Sequence, residues 1–515
     1  MDNDVFVVAG NLLPRFIIFM NLKNIFCCLF VLLARQSLAN LITYKAPVCN
    51  FNSSAYTVNV RDDGHSWQNT AVYQADVAEV INAKSVMRKT TFTYFDCDRE
   101  VEVEISVNYT AVDQVKVRPA SLGITPLIKG NRITLRMKPN QVISVEINGD
   151  IFRNIQIFAN PPEAYKPSIK DTNVIYYGPG IHKIGKVQVP SNKTVYIAGG
   201  AIVQGNFVMD HVKNVRICGR GILTQFETGT EETKPGPAQQ RAGTLRNDML
   251  NVSFSTDVHI EGLIVMPHKY SVLIGQSARV TVRNFKSFSS EGNADGIDIF
   301  SSTDVTLDHI YMRNSDDCIA IYGHRWNYYG NTKNIIVNDA ILWADVAHPI
   351  LIGTHGDTPH PDTLENMKFS NIEILDQHEN QIDYQGCMAL NAGDSNFIRN
   401  ISFHDVRVDD IRKGQLINLR VMFNHKYNTS PGAGIENVLF KNITYTGLRA
   451  GLSIISGYDE QRGIKNVTFE NLNIGGKYIT DTMEGKPGFY KTGDMANIYI
   501  GEHTEAIKFI RSANP

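Results

Sequence analysis

Apolar residues in the second half of the chain recur at a fixed set of offsets. Val258, Ile260, Leu263 and Val265 occupy positions n, n+2, n+5 and n+7. The same offsets return at Val305, Leu307, Ile310 and Met312, and again at Ile335, Val337, Ala340 and Leu342. Further copies begin at Met367, Ile401, Val438 and Val467, with a weaker one at Val280 whose fourth position is Ser287. Alternation at n and n+2 is the period of a strand with one buried face. The two-residue gap before n+5 predicts a bend between two short strands. Successive units lie 22, 25, 30, 32, 34, 37 and 29 residues apart. So small a unit cannot bury its apolar face alone, so the units must stack.

A second strand-like run follows each unit: Ser271–Ile274, Gly296–Ile299, Cys318–Ile321, Pro349–Ile352, Cys387–Leu390, Gln415–Asn418, Leu452–Ile455 and Asn497–Ile500. Two or three short strands per turn predict a right-handed parallel β-helix over residues 168–515. Asn334, Asn366, Asn400, Asn437 and Asn466 each stand immediately before a strand. Asparagine tolerates a turn there, and its side chain can bond a stacked copy of itself. A propeller would need about four strands per blade with antiparallel hairpin turns, which are not evident.

Residues 44–167 read differently. Alternating runs at Tyr56–Val60, Val101–Val107, Ile133–Met137 and Val142–Ile147 are separated by Gly, Asn and Pro. They predict a small antiparallel β-sandwich, with 161–167 as the linker. No helical periodicity of useful length occurs, so the chain is expected to be all-β. Residues 1–39 carry an apolar run, Ile25–Leu33, followed by Ser37-Leu-Ala39. That is a secretory signal pattern, best fitted by translation from Met20. The run is too short for a spanning helix, so a secreted or periplasmic protein without a membrane span is expected after cleavage.

Five cysteines remain beyond the signal, and an odd number forbids a complete disulfide set. Cys49 and Cys97 are a candidate pair; Cys218, Cys318 and Cys387 sit at strand positions that suit buried apolar residues. The formal net charge is −2 with no basic stripe, which argues against a nucleic-acid partner. Several Asn-x-Ser/Thr sequons, such as those at Asn400 and Asn466, are the repeat's own asparagines and carry no weight as glycan sites.

The candidate chemistry lies in two segments at equivalent points of successive units. Asn293-Ala-Asp-Gly-Ile-Asp298 and Ser315-Asp-Asp-Cys318 bring Asp295, Asp316 and Asp317 to the starts of neighbouring strands, about 4.8 Å apart. Clustered carboxylates suit cleavage of a glycosidic bond, in which one acid protonates the leaving oxygen and one base activates water. Their mutual repulsion should raise at least one pKa toward the proton-donor range. His348 begins the next strand of the column and should orient or tune a carboxylate. His355 and His360 occupy a loop without a third obvious ligand, so no metal or cofactor is assigned. Tyr322, His324, Trp326, Tyr328 and Tyr329 follow the aspartate pair; exposed rings there would suit sugar faces, and packing of a long loop is the alternative. Residues 378–384 and Asn391 are candidates to line subsites, although no spacing gives them a role.

These motifs resemble glycoside hydrolase family 28, the polygalacturonase family. Asn293–Asp298 is similar to its Asn-Thr-Asp-Gly motif, Ser315–Ile321 to its Asp-Asp-Cys segment, and Ala347–Thr354 to its Gly-His-Gly strand. The resemblance covers about Tyr176 to His503. Two departures stand out. The family's Arg-Ile-Lys motif, which grips a galacturonate carboxylate, would fall at Gln415–Asn418, where the basic residues are replaced by Leu416 and Asn418; Arg420 lies two residues on. Ala347 and Pro349 replace the glycines beside the histidine. A sandwich followed by a β-helix is also similar to glycoside hydrolase family 49, the dextranase and isopullulanase family. The resemblance implies an inverting hydrolase acting on a polysaccharide or oligosaccharide, with Asp316 as general acid and Asp295 and Asp317 holding the water. A polysaccharide lyase on the same fold and a non-catalytic carbohydrate-binding β-helix are the alternatives. A lyase would need a Lys or Arg base and commonly Ca²⁺, which the missing basic motif disfavours.

Overall fold

The computed structural model describes residues 41–225 and 248–512. The expected signal segment, 1–39, lies outside the described residues. Those described fall within one compact unit, Leu41–Pro515. Among them, no helix is long and apolar enough to cross a membrane.

The first part of the chain forms two facing sheets. A 5-stranded antiparallel sheet carries Tyr56–Arg61, Val101–Val107 and Arg132–Met137. A 6-stranded sheet carries Val72–Ile81, Lys84–Asp96, Val142–Ile147 and Asp150–Asn160. Alternate residues of both, such as Val58, Val60, Ile105, Ile133, Ile143 and Ile155, fill the space between them. One departure from a purely antiparallel sandwich is the parallel pairing of Lys84–Asp96 with Asp150–Asn160. The outer face of this second sheet is aromatic and packs on the following coils. Phe92 stacks on Phe288 at 5.2 Å, and Phe158 meets Tyr311 edge-on at 5.2 Å. Buried polar groups bridge the same seam: Arg220 pairs with Asp96 at 2.9 Å, and the Arg313 guanidinium donates to the Ile151 carbonyl at 3.0 Å.

The rest is a right-handed parallel β-helix. A 28-stranded sheet runs from Val174–Tyr177 to Thr504–Ile510, its strands pairing parallel with their counterparts one coil on except for Lys477–Ile479, which folds back antiparallel on Leu472–Ile474. The repeat positions all point inward: Val305, Leu307, Ile310 and Met312 are buried in one continuous core with Ile335, Val337, Ala340 and Leu342. Where two short strands with a bend were expected, long strands such as Thr303–Asn314 and Thr332–Ala344 run through. The bend survives as one left-handed residue at n+4: His309 (φ 52), Asp339 (φ 53), Asn371 (φ 57), Asp405 (φ 55) and Asn442 (φ 55). A second left-handed residue stands at n−1: Asn334 (φ 59), Asn366 (φ 58), Asn400 (φ 57) and Asn437 (φ 57). Asn and Asp adopt this region more readily than other side chains. The n−1 amides also form a ladder, Asn400 donating to Asn366 at 3.2 Å and Asn437 to Asn400 at 3.2 Å.

All five cysteines among the described residues are free, which corrects the expected Cys49–Cys97 pair. Cys97 is buried in the sandwich core, whereas Cys49 packs beside the aromatic seam on the sheet's other face. Cys218, Cys318 and Cys387 are buried.

Inside the helix, Phe369, Phe403, Phe440, Phe469 and Phe509 form a stack with successive centroid distances of 4.7, 5.1, 5.0 and 4.7 Å. Phe440 has a ring above and below it, so Phe440→Ala should lower stability by about 3–5 kcal/mol. Urea denaturation read by circular dichroism measures this; a loss under about 1 kcal/mol would show that the stack does not support the coils.

Candidate active site

Register brings the aspartates together. Ile297 pairs with Ile319, so Asp295 and Asp317 share one position on adjacent strands, and Asp316 stands one residue outside them. Glycine makes this approach possible. A Cβ on Gly296 would lie 2.2 Å from the Cys318 carbonyl oxygen, so any other residue would push the two strands apart. One carboxylate oxygen from each of Asp295, Asp316 and Asp317 lies within 4.8 Å of the others. Placement at the starts of adjacent parallel strands, about 4.8 Å apart, is what brings these oxygens together.

The three carboxylates differ in surroundings. Asp295 and Asp317 are 5% and 3% exposed, whereas Asp316 is more open. The Asp317 carboxylate accepts three donors: the His348 ring Nδ1 at 2.6 Å, the His348 backbone N–H at 3.1 Å and the Tyr322 hydroxyl at 3.3 Å. Among the described residues, Asp316 accepts from backbone N–H groups, those of Asn293 at 3.1 Å and Asp317 at 3.2 Å. Although part of it reaches solvent, Asp316 sits deep among protein atoms, and that loss of hydration, then the neighbouring Asp317 charge, push its pKa up to about 7, against the opposing pull of His348. The arrangement therefore separates the pair into a clamped acceptor and a group that holds its proton near neutrality.

His348 is fully buried, and both ring nitrogens face acceptors. Nδ1 meets Asp317, and Nε2 donates to the Tyr384 carbonyl at 2.5 Å. Two acceptors call for two N–H groups, the imidazolium form. Burial opposes that charge, but the Asp317 carboxylate overrides it, and the His348 pKa is raised. Glu379, also buried, adds to the effect. The histidine sits where it does because Ala347 holds a left-handed backbone (φ 68), a conformation that suits the glycine of the family motif and strains alanine.

The expected substrate-contacting residues divide. Tyr322 is a correction: it is buried in the strand Ile319–Tyr322, stacked on Phe300 at 5.4 Å, and its hydroxyl serves Asp317. Burial first, with Tyr384 and Asp317 adding to it, raises its pKa well above the usual value and keeps that hydroxyl a donor. Asn391 is a second correction, being 0% exposed within Met388–Ala392 and so closed to any ligand. His324 bonds the Tyr328 carbonyl at 2.7 Å and stacks on Tyr329, folding the loop on itself. Trp326 is half-buried against Phe300 and Tyr270. Together with Tyr384, Met422 and Tyr427, these rings make an apolar cluster on the outer face of the strands that carry the aspartates.

The departures from the basic motif have structural consequences. Leu416 is buried in the helix core. Asn418 is buried with its amide donating to the Gln385 carbonyl at 2.5 Å. Arg420 donates to the Asp383 carbonyl at 3.1 Å and pairs with its carboxylate at 3.4 Å. It stands in register with Asn391 and Gly353, three strands from Tyr322, a backbone separation of about 14 Å. Sequence reasoning gave no role to Asn293, Glu379 or Tyr384. Asn293 and Tyr384 act through backbone groups, which no side-chain motif marks. The same carboxylate trio has the spacing of a cation site, as does Asp308 with His309 and Asp339.

With this geometry in view, the class is clear: the chain belongs to the glycosyl hydrolases family 28, whose profile matches residues 184–487. A "Probable endopolygalacturonase D" of Neosartorya fischeri is 26% identical over 200 residues, 37% of this chain and 38% of that protein. Endopolygalacturonase B of Aspergillus niger is 25% identical over 177 residues, 34% of this chain and 44% of that one. The matched stretch thus spans less than half the length of either relative. Among solved structures, Dex49A from Penicillium minioluteum, of family 49, superposes with a TM-score of 0.60 at 14% identity, covering 92% of this chain and 96% of its own. The fold is therefore shared with that protein.

Asp316 binds a proton in the folded protein over a pH range in which the unfolded chain has released it. Its contribution to stability is complete below the ordinary aspartate pKa, about 3.9, and is lost as pH rises through about 7. Asp316→Asn should therefore stabilise the protein by on the order of 2 kcal/mol at pH 8 and leave it almost unchanged at pH 4. Thermal unfolding of both proteins across this range measures the difference; a gain independent of pH would contradict the raised pKa.

Proposed function

We propose that the protein is a secreted glycoside hydrolase that cleaves glycosidic bonds in a polysaccharide or oligosaccharide. Asp316 is the general acid, and Asp295 and Asp317 hold the attacking water. The observation that carries this reading is the unequal environment of three carboxylates within 4.8 Å: Asp316 has its pKa raised to about 7, while Asp317 is clamped by His348 and Tyr322. A protonated carboxyl at neutral pH can give its proton to a leaving oxygen, and an ionised one can orient water. His348 is a positioning residue that holds the Asp317 carboxylate in place through its ring and backbone N–H groups. Family membership supports hydrolysis, and the signal pattern at the N-terminus supports secretion.

Asp316→Asn should lower kcat by ~10²–10⁴-fold with the fold intact. In the wild type, kcat/KM should fall as pH rises through about 7, because the acid must be protonated. A variant retaining more than about a tenth of the rate on the best polysaccharide substrate, assayed by released reducing ends, would remove Asp316 from this role.

Two bases gripping one water favour inversion at the anomeric carbon. We expect inversion, and NMR of the first-formed anomer tests it: a product of retained configuration would overturn this expectation.

The substrate is proposed to carry little charge at the subsites beside the aspartates. Polygalacturonate should be cleaved at least ~100-fold less efficiently than the preferred glycan, since each charge-assisted bond contributes roughly 1.5–3 kcal/mol and two are missing. Efficient cleavage of polygalacturonate that disappears in Arg420→Ala would return the substrate to the galacturonans. Products absorbing as unsaturated uronates would instead identify a lyase.

A further inference from the structure

Residues 379–385 leave the β-helix between the strands Thr363–Gln377 and Met388–Ala392 and fold back over the sheet beside His348. Four successive carbonyls of this loop each accept a side-chain donor. Gln415 donates to Ile382 at 3.4 Å, Arg420 to Asp383 at 3.1 Å, the His348 ring to Tyr384 at 2.5 Å and Asn418 to Gln385 at 2.5 Å. Ile417 and Leu419 of the strand Ile417–Val421 enter the core, so Asn418 and Arg420 face outward over the column that carries the aspartates. The polar side chains of this part of the floor therefore hold the protein's own backbone.

The loop is also tied down at its outer side. Gln381 Oε1 accepts from the Lys426 amine and the Tyr427 hydroxyl, both at 2.8 Å. The Tyr384 ring is buried, edge-on to His348 at 4.6 Å and stacked on Tyr427 at 4.8 Å. The paired carbonyls and the buried ring make the loop a fixed part of the surface rather than a mobile flap. It stands close to the aspartates on one side only. It meets the floor at His348, one strand from Asp317, and rejoins it at Gly386, two strands or about 10 Å away. On the other side, Tyr270 is in register with Asp295, and His268 and Lys269 just before it are exposed.

We propose that residues 379–385 are a wall that ends the substrate cleft beside His348, so that the enzyme takes one end of a glycan chain and releases a mono- or disaccharide instead of cutting in mid-chain. The inference rests on the hydrolase reading above and adds its mode of attack. A glycan continuing along the floor past the aspartates would have to displace four paired carbonyls and the buried Tyr384 ring together. A chain that ends at the wall displaces none of them, and its remainder leaves over the exposed rim at His268 and Lys269.

The test is a product time course of the full chain on the polymer it degrades best, with products separated by length and viscosity followed in parallel. Mono- or disaccharide is expected from the first time point, with viscosity almost unchanged while about a twentieth of the bonds are cleaved. Oligosaccharides of mixed length at that stage, with a collapse of viscosity, would show that the glycan passes over the loop. That result overturns the proposal and leaves the hydrolase reading intact, whereas a protein that releases no reducing ends from any glycan fails both. The double variant Gln381→Ala, Arg420→Ala removes the outer ties and one floor contact at partly exposed positions. It should add longer oligosaccharides to the early products; a pattern identical to wild type would show that the loop does not end the cleft. Ile382→Gly with Asp383→Gly, both at exposed positions, loosens the same segment and serves if the first variant does not fold.

Discussion

The in-register stacking of one coil on the next is the constraint from which the rest of this structure follows. It rests on a backbone detail repeated at each coil, a left-handed residue at n−1 and another at n+4. These two residues turn the chain without breaking the parallel hydrogen-bond ladder. Asparagine serves at most n−1 positions because it tolerates the conformation and offers both a donor and an acceptor to its copies above and below. Once the corners are aligned, every inward residue meets its own equivalent. The phenylalanine stack is one result, and the apposition of Asp295 with Asp317 is another.

Such stacking would place like charges together at a cost, and the site manages this by giving each carboxylate a different partner set. A fully buried imidazolium between Asp317 and the Tyr384 carbonyl supplies one positive charge beside the negative ones. With Asp317 so held, the remaining repulsion and the burial fall on Asp316, whose proton becomes harder to lose. The tyrosine beneath contributes by remaining protonated. Thus a buried histidine sets the two neighbouring aspartates apart in their surroundings.

The outer face of the strands that carry the aspartates is largely apolar and aromatic, with Arg325 over Trp326 and Lys426 over Tyr427. Leu416 has turned into the core, and Arg420 is held by Asp383. The sandwich completes the molecule on the other side. Its aromatic face and its arginine bridges bury surface that the first coils would otherwise expose.

Much was legible in the sequence, because a β-helix writes its period directly into the chain. Inward residues recur at fixed offsets, so the fold class, the strand columns, the asparagine ladder and the meeting of Asp295, Asp316, Asp317 and His348 could all be read from spacing alone. What spacing cannot carry is the direction and depth of a side chain once loops fold over it. Tyr322 reads as a loop aromatic and is a buried support; Asn391 reads as a subsite residue and is sealed; Cys49 and Cys97 read as a pair and lie on opposite faces of a sheet. The backbone donors and acceptors of Asn293 and Tyr384 leave no mark in residue identity. The protonation pattern of the site likewise depends on burial, and burial is a property of the packed structure rather than of the chain.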